Sequence, residues 1–379
     1  MKIKSDKIII EDKIIGGIIV TEGNRIVEVR KNDDSEADYD FTGKYVSPGF
    51  IDMHTHGAGG FSFASSDPQE IVDGCNFHLK HGTTSVLPTV SADYFYNMKS
   101  AVKAIHAARG HDGLRSNLLG AHLEGPYLSK EQSGAQGDEF IKNPDYAEYK
   151  ALLEEYGNDI ARWTYAPETD DGQQFCKEIV KYGVIASAGH TNATFEDMEK
   201  AKEAGCRLIT HLYSCTSSVT RDHGFRKLGV IETAYLDDDI FVEIIADGKH
   251  LPKELVEMIL KIKGYDKTVV VSDSLAIAGT EIKSGIVNQK EFIVEDGVCK
   301  LKDRSAFAGS VATSDMLLKF LTRGCGIAVA DAVKMMSANP AKLLGVKKGI
   351  IAENYDADLI VFDEEFQISE VFVGGIKVV

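Results

Sequence analysis

The fold is decided by one stretch of the sequence, Pro48-Gly49-Phe50-Ile51-Asp52-Met53-His54-Thr55-His56. It begins as an apolar strand and ends in two histidines at i, i+2 spacing, which in a strand places both imidazoles on one face. A doubly wound open sheet usually carries a glycine-rich phosphate loop after its first strand. His-Thr-His stands in that place here, so the stretch favours a barrel, with the two histidines facing its pocket.

Apolar runs alternate with helix-like segments throughout the middle of the chain. Strands are predicted at 45–53, 83–90, 117–123, 160–166, 183–188, 206–210, 240–246 and 268–272. Helices are predicted at 67–81, 93–109, 170–182, 194–204 and 252–263. This alternation implies parallel strands joined by helical crossovers, and eight repeats match a (β/α)8 TIM-like barrel of the α/β class.

Both ends of the chain are rich in β-branched residues, in contrast to the middle. Short runs of this kind fill residues 1 to 45 and return at 359–379. They predict one small β domain assembled from both termini, with an N-terminal part at 1–46, the barrel at 47–344 and a C-terminal part at 345–379.

The composition is that of a globular protein, with 379 residues, 44% hydrophobic and 26% charged, and a formal charge of −16. The acidic balance argues against nucleic acid as a partner. No apolar run is long enough to cross a membrane, and residues 1–12 lack a secretory pattern, so we expect a cytoplasmic protein. The six cysteines are scattered without a Cys-x-x-Cys pair, which favours reduced thiols over a disulfide framework or a zinc ribbon.

Residues suited to metal binding and catalysis fall at the predicted strand ends. A barrel places its active site at the carboxyl ends of its strands, and six of the 11 histidines lie at or just beyond such ends. The residues at these ends that carry chemistry are His54, His56, Glu124, His190, His211, His250 and Asp273.

Five of these side chains predict a divalent-metal site. An isolated His-x-His is more often a pair of polar loop residues, but after this strand His54 and His56 favour a metal site. Glu124 ends an apolar strand, where a buried carboxylate needs a partner; the alternative is an exposed loop acid. His190 and His211 end consecutive strands. They are either hydrogen-bonded core histidines or, with Glu124, a site of two histidines and one carboxylate with an open position.

Asp273 follows a strongly β-branched strand and is the predicted general base, which would take a proton from water and pass it to a leaving amine. The alternative is a helix N-cap, a role that Ser274 could fill instead. His250 is predicted to touch substrate or to lie on the rim. His122 has at most an indirect role, and none is assigned to His78, His81, His106 or His111.

Ordered motifs along nearly the whole chain resemble the amidohydrolase superfamily and, within it, the family of N-acetylglucosamine-6-phosphate deacetylases. The opening signature runs from Pro48 to Gly57. The other strings are His122-Leu123-Glu124-Gly125-Pro126, Gly134-Ala135-Gln136, Ala188-Gly189-His190, Thr210-His211-Leu212-Tyr213, 245–250, Ser272-Asp273-Ser274, Ala308-Gly309-Ser310, Asn339-Pro340-Ala341, Leu343-Leu344-Gly345 and 356–360.

The resemblance implies a barrel with a β-sandwich from both termini, usually as a homodimer. It implies a metal held by Glu124, His190 and His211, with a second metal in members that keep the pair at His54 and His56. It also implies Asp273 as acid/base, with substrate contacts from Ala135, Gln136 and His250. The donor types suit zinc first, or iron, manganese or cobalt, at one or two ions per subunit.

One departure concerns the substrate phosphate. The family commonly has Asn-Ala where this chain has Ser214-Cys215, and backbone amides or the Ser214 hydroxyl are the replacements available. An arginine of the neighbouring subunit often reaches the phosphate; Arg221 is nearest in spacing and Arg226 is second.

The predicted reaction is metal-dependent hydrolysis of the acetamide of N-acetyl-D-glucosamine 6-phosphate to D-glucosamine 6-phosphate and acetate, in amino-sugar catabolism. The alternatives are an amidohydrolase for another N-acyl substrate, and a barrel that has lost catalysis and serves as a scaffold.

Overall fold

The computed structural model describes residues 1–32 and 36–379; positions 33–35 of the predicted N-terminal β domain lie outside the described residues. The strands, in chain order, are β1 (Lys2–Ile10), β2 (Lys13–Glu22), β3 (Arg25–Lys31), β4 (Tyr39–Asp40), β5 (Tyr45–Pro48), β6 (Phe50–Thr55), β7 (Gly57–Ala58), β8 (Phe61–Ser62), β9 (Thr83–Ser91), β10 (Asn117–Leu118), β11 (Ala121–Glu124), β12 (Ile160–Tyr165), β13 (Ile185–Ala188), β14 (Leu208–Ile209), β15 (Thr220–Asp222), β16 (Phe225–Lys227), β17 (Phe241–Ile245), β18 (Thr268–Val271), β19 (Ser284–Val287), β20 (Lys290–Glu295), β21 (Val298–Leu301), β22 (Phe307–Gly309), β23 (Leu359–Phe362), β24 (Ile368–Val373) and β25 (Ile376–Lys377).

The helices cover every segment predicted to be helical. They are α1 (Pro68–Leu79), α2 (Phe95–Arg109), α3 (Tyr146–Tyr156), α4 (Gln174–Lys181), α5 (Phe195–Glu203), α6 (Val230–Leu236), α7 (Lys253–Lys263), α8 (Ser314–Lys319), α9 (Val329–Met336) and α10 (Ala338–Leu344). Asp67 caps the N-terminus of α1, where its carboxylate accepts a hydrogen bond from the backbone N–H of Gln69. Within the described residues, no helix combines the length and apolarity needed to cross a membrane.

The middle of the chain forms the predicted parallel barrel. Strand β6 pairs with β9, and the sheet continues from β9 through β11, β12, β13, β14 and β17 to β18, with all pairs parallel. The short strand β10 directly precedes β11 in the chain and also pairs with β9. The last strand returns to the first through two backbone hydrogen bonds, from Asp273 N–H to His54 O (2.9 Å) and from His56 N–H to Ser274 O (2.8 Å). Closure therefore brings two predicted site segments into direct contact.

The predicted first strand, 45–53, is wrong as a single element, because the chain changes sheets at Gly49. Strand β5 pairs with β23 in the terminal sheet, whereas β6 enters the barrel. A Cβ at Gly49 would lie 2.2 Å from Thr84 Oγ1, so only glycine allows this close crossing. Burial runs unbroken from Val46 to Thr55, so the stretch resembles one strand, although Pro48-Gly49 is a turn signal at the point of the break.

One sheet takes strands from both chain ends, which confirms the predicted second small domain. Its order is β25-β24-β23-β5-β1-β2-β3, with β4 beside β1. Ile3, Ile8 and Phe372 are buried in the apolar cluster of this sheet. The domain boundaries at 46/47 and 344/345 stay predictions.

An antiparallel sheet of β19 to β22 was not predicted within the barrel segment. It follows the last barrel strand and has its own small core around Leu275, Phe292 and Leu301. At its first turn Asn288 Nδ2 donates to Ala135 O (3.4 Å) and Lys290 Nζ donates to Gly134 O (3.0 Å). The sheet therefore lies against the loop that contains two predicted substrate residues.

Candidate metal centre

Glu124, His190 and His211 converge from the carboxyl ends of three barrel strands, two of which, β13 and β14, are paired. Glu124 closes β11, His190 follows β13, and His211 follows β14. Glu124 Oε1 lies 3.2 Å from His190 Nε2 and 3.0 Å from His211 Nε2, and the two Nε2 atoms are 3.2 Å apart. These three buried side chains could hold one metal ion.

His54, His56 and Asp273 form a second cluster beside the first. Asp273 Oδ1 is 3.4 Å from His54 Nε2 and 3.1 Å from His56 Nε2. Glu124 lies between the clusters, because its Oε1 is 3.3 Å from His54 Nε2 and its Oε2 is 3.4 Å from His56 Nε2. The predicted residues therefore form two adjoining donor sets that share one carboxylate.

Each of the four histidines has its Nδ1 hydrogen-bonded outside the clusters, which turns its Nε2 inward. Metal-binding histidines ordinarily hold their second ring nitrogen in this way. The Nδ1 partners are the Glu243 carboxylate for His54 (2.8 Å), Ser91 Oγ for His56 (3.0 Å), Gln132 O for His190 (2.8 Å) and Ser214 O for His211 (3.0 Å).

The backbone is strained where it presents these groups. His190, His211 and Asp273 have φ of 47°, 28° and 47°, in the left-handed region that side chains rarely adopt. Such strain persists only where surrounding contacts hold it, and it concentrates at functional sites. At these three positions the chain leaves a barrel strand and aims a donor into the pocket.

The carboxylates create an environment that stabilises positive charge. Burial opposes protonation of His54, but Glu124, Glu243 and Asp273 outweigh it and raise the pKa of His54 to about 10. Burial would raise the pKa of Glu124, yet His54 and His190 hold it well below its ordinary value. A divalent cation among these donors would meet the same electrostatic demand.

The donor set fits a divalent transition metal. His54 Nε2 is buried and has no hydrogen-bond partner among the described residues, although two carboxylate oxygens lie within 3.4 Å. An unpaired buried polar atom is costly unless a ligand satisfies it. Imidazole nitrogens and carboxylate oxygens are ligands that zinc, iron, manganese and cobalt accept.

The clusters lie at the base of a cavity of about 290 Å³. It is lined by His56, Ser91, Glu124, Ala135, Gln136, His190, His211, Tyr213, Ser214, Cys215, His250, Asp273, Leu275, Asn288, Ala306, Phe307, Ala308 and Gly309.

Five of the six predicted substrate residues line this cavity: Ala135, Gln136, Ser214, Cys215 and His250. The side-chain amide of Gln136 already makes two hydrogen bonds within the protein: its Nε2 donates to Glu124 Oε2 (2.7 Å) and its Oε1 accepts from the backbone N–H of Ala92 (3.0 Å). The sixth, Arg221, lies on the exposed hairpin of β15 and β16 and does not line the cavity of its own chain.

The Ser214 backbone departs from the expected phosphate-binding role. Its N–H already donates to His211 O (2.9 Å), so the donor that this residue can offer a ligand is its hydroxyl. His250 is oriented by Asp247, whose carboxylate accepts from His250 Nδ1 at 2.8 Å.

Several residues of the site were not predicted. Asn288 and Phe307 reach the cavity from the inserted sheet, which no pattern in the sequence connects to the barrel. Glu243, by contrast, left a signal. By strand alternation it lies on the same face as Phe241 and Ile245, which pack inside the barrel. A carboxylate between two apolar residues on a buried strand face is unusual and could have marked Glu243 as a site residue.

A parallel barrel with imidazole and carboxylate groups at the carboxyl ends of its strands is an architecture of metal-dependent hydrolases. The model of the amidohydrolase family, a class of metal-dependent hydrolases, matches residues 45–378, and the chain belongs to that family.

Within this family, the chain is similar to deacetylases of phosphorylated amino sugars. The chain is 34% identical over 343 residues to the N-acetylglucosamine-6-phosphate deacetylase of Haemophilus influenzae, covering 89% of this chain and 87% of that one. It is 28% identical over 346 residues to the N-acetylgalactosamine-6-phosphate deacetylase of a Shewanella species, covering 89% and 84%. The N-acetyl-D-glucosamine-6-phosphate deacetylase of Mycobacterium smegmatis, solved as a variant with N-acetyl-D-glucosamine 6-phosphate, matches with a TM-score of 0.93, 26% identity, and coverage of 100% and 99%.

Proposed function

We propose that the protein hydrolyses the acetamide of N-acetyl-D-glucosamine 6-phosphate, releasing acetate and D-glucosamine 6-phosphate in amino-sugar catabolism. The observation that carries this proposal is the convergence of two donor clusters on Glu124 at the base of one pocket. The deacetylases among the chain's relatives support the substrate. The presence of every predicted donor argues against a scaffold that has lost catalysis.

Asp273 is the proposed acid and base of the reaction. Burial would raise its pKa, but His54 and His56 hold the pKa below its ordinary value, so the carboxylate is ionised at neutral pH. A divalent metal held by these two donor clusters would supply Lewis-acid chemistry, which polarises carbonyl groups and lowers the pKa of water. Asp273 then takes a proton from the attacking water and delivers it to the nitrogen as the C–N bond breaks.

The remaining pocket residues position the sugar. His250 is held by Asp247 so that its Nε2 is available, and Ala135 and the Ser214 hydroxyl line the same cavity. Among the described residues that line the cavity there is no lysine or arginine to meet a phosphate. We therefore propose a homodimer in which Arg221 of one subunit serves the pocket of the other, with Arg226 as the second choice.

We propose zinc as the metal, with one ion at Glu124, His190 and His211 and a second at His54, His56 and Asp273. Iron, manganese or cobalt would suit the same donors. We also propose a cytoplasmic location, without membrane or nucleic-acid partners. Six free cysteines and a phosphorylated substrate support it.

A second candidate substrate is another phosphorylated N-acetyl amino sugar. It is favoured by the Ser214-Cys215 departure and by the relative that is named for N-acetylgalactosamine 6-phosphate. The chemistry at the metal centre would be unchanged, because only contacts to the sugar ring and phosphate differ.

Acetate release from four compounds separates these possibilities: N-acetylglucosamine and N-acetylgalactosamine, each with and without the 6-phosphate. We expect the highest kcat/KM for N-acetylglucosamine 6-phosphate. A higher value for the galactose isomer would transfer the assignment to the second candidate, and no preference for phosphorylated sugars would contradict both.

A further inference from the structure

Glu243 contacts one histidine from each of the two donor clusters through a single oxygen. Its Oε1 accepts from His54 Nδ1 at 2.8 Å and from the backbone N–H of His211 at 3.1 Å. It lies in the middle of β17 and is fully buried. His54 belongs to one cluster and His211 to the other, so this carboxylate joins the two donor sets from beneath.

The second oxygen of Glu243 is held by Arg162, which is also fully buried. Arg162 donates further to Thr210 Oγ1 (2.8 Å), to Ser187 Oγ (3.1 Å) and to Met53 O (3.4 Å). Ser187 lies on β13, beside the strand of Arg162, Thr210 follows β14, and Met53 lies on β6. The guanidinium therefore fixes the carboxylate in one place and balances its charge, which an isolated buried carboxylate would require.

The two hydrogen bonds that Glu243 accepts each orient a histidine whose Nε2 faces the clusters. Accepting from His54 Nδ1 keeps a proton on that nitrogen and turns Nε2 toward the clusters. Accepting from the His211 N–H holds a backbone with φ of 28°, a conformation that would otherwise relax and swing the imidazole away.

We propose that Glu243, anchored by Arg162, is a positioning residue that sets the orientation of His54 and His211 and so adjusts metal binding in both clusters together. This inference rests on the proposed metal dependence. It gives a buried ion pair a role in the site beyond the stability of the barrel.

The competing explanation is that Glu243 serves only to pair with Arg162. The two explanations predict different results when the ion pair is removed and the oxygen that accepts from His54 and His211 is either kept or lost. Replacing Arg162 with Met removes the charge, and a buried ion pair replaced by groups of similar volume is often tolerated. In that background Glu243→Gln keeps a carbonyl oxygen for His54 and His211, whereas Glu243→Leu does not.

The experiment compares the double variants R162M/E243Q and R162M/E243L with the full-length wild type, after removal of metal with a chelator. The affinity for Zn²⁺ is measured by competition with a chromophoric chelator, together with the number of ions bound per chain. We expect the Leu double variant to bind about 10–100-fold more weakly than the Gln double variant. Glu232 caps α6 outside the cavity, so E232Q and E232L serve as the matched control pair and should not differ in affinity.

Equal Zn²⁺ affinity in the two double variants would overturn the proposal. If either double variant fails to fold by circular dichroism, Glu243→Asp decides, because it keeps the charge beside Arg162 and withdraws the oxygen from His54. Unchanged affinity in that variant would also overturn it. Failure of the proposed function is distinct, since it would appear as a wild type that neither binds Zn²⁺ nor releases acetate.

Discussion

Asp273 illustrates how single residues acquire their roles in this protein. Its backbone N–H donates to His54 O, its φ is 47°, and its carboxylate lies within 3.4 Å of two imidazoles. The conformation is held by barrel closure and the charge by the histidines. The proton transfer proposed for Asp273 depends on both.

Replacing Asp273 with Asn removes the proton acceptor while keeping the size of the side chain. We expect kcat to fall about 10²–10⁴-fold, the usual contribution of a positioned acid/base. Metal should remain bound at Glu124, His190 and His211, as measured by elemental analysis of the purified variant. A variant that keeps the ion at Glu124, His190 and His211 and most of its kcat would show that the proton is carried elsewhere.

At this scale the sequence predicted the strand-end donors, because a polar side chain after an apolar strand stands out. Gln136 and Ser214 were placed by resemblance, and their engagement with Glu124 and His211 could not be read from their residue types. Ser91 was missed because a serine within a β-branched strand has no distinctive pattern.

The inserted sheet is the element that shapes the mouth of the pocket. Its first turn rests on the loop at Gly134 and Ala135, which Lys290 holds through the Gly134 carbonyl. This sheet could not have been predicted from the barrel pattern, since its short strands follow the eighth predicted strand, after which the alternation of strands and helices is complete.

Lys290→Met should loosen that contact. We expect KM for the phosphorylated sugar to rise about five-fold, the equivalent of about one hydrogen bond, with a smaller change in kcat because the metal centre is untouched. Steady-state acetate release measures both constants. Lys302→Met, which removes an ion pair with Glu291 on the same sheet, is the control. Equal effects of the two variants on KM would mean that the contact of Lys290 with Gly134 does not contribute specifically to substrate binding.

Helix α8 is tied to the end of α1 by an ion pair between His81 Nδ1 and Asp315 Oδ1 at 3.1 Å. Burial would raise the pKa of Asp315, but His81 holds it below its ordinary value. Because the pKa of Asp315 is lower in the folded state, its ionised form stabilises the fold at pH values above the pKa of the unfolded chain, about 3.9. This stabilisation is lost as the pH falls through the pKa of the folded protein.

Asp315→Asn should therefore lower Tm at pH 7, and the difference from wild type should shrink below about pH 4. Thermal unfolding followed by circular dichroism across this pH range measures it. A difference that stays constant at low pH would assign the effect to lost packing and not to the charge of Asp315.

At the scale of the whole molecule, the terminal sheet was predictable because β-branched runs mark both ends. The sheet change at Gly49 was missed because burial is continuous across it, although Pro48-Gly49 is a turn signal. Arg221 and Arg226 face each other on an exposed hairpin away from their own pocket.

Arg221→Ala tests the proposed dimer. We expect KM for N-acetylglucosamine 6-phosphate to rise about ten-fold or more, the cost of losing a charge-assisted hydrogen bond, with kcat less affected. Analytical ultracentrifugation of the wild type should give twice the chain mass of 41.4 kDa. A monomer whose KM is unchanged by the substitution would contradict this arrangement, and Arg226→Ala would then be examined in the same assay.

The central claim is that the two clusters converging on Glu124 are a metal centre for deacetylation. The most direct measurement is acetate release from N-acetylglucosamine 6-phosphate by chelator-stripped protein as Zn²⁺ is added back. We predict an inactive stripped protein whose activity rises with added Zn²⁺ and reaches a plateau at one or two ions per chain. Full activity in the stripped protein, without any dependence on added metal, would contradict the claim.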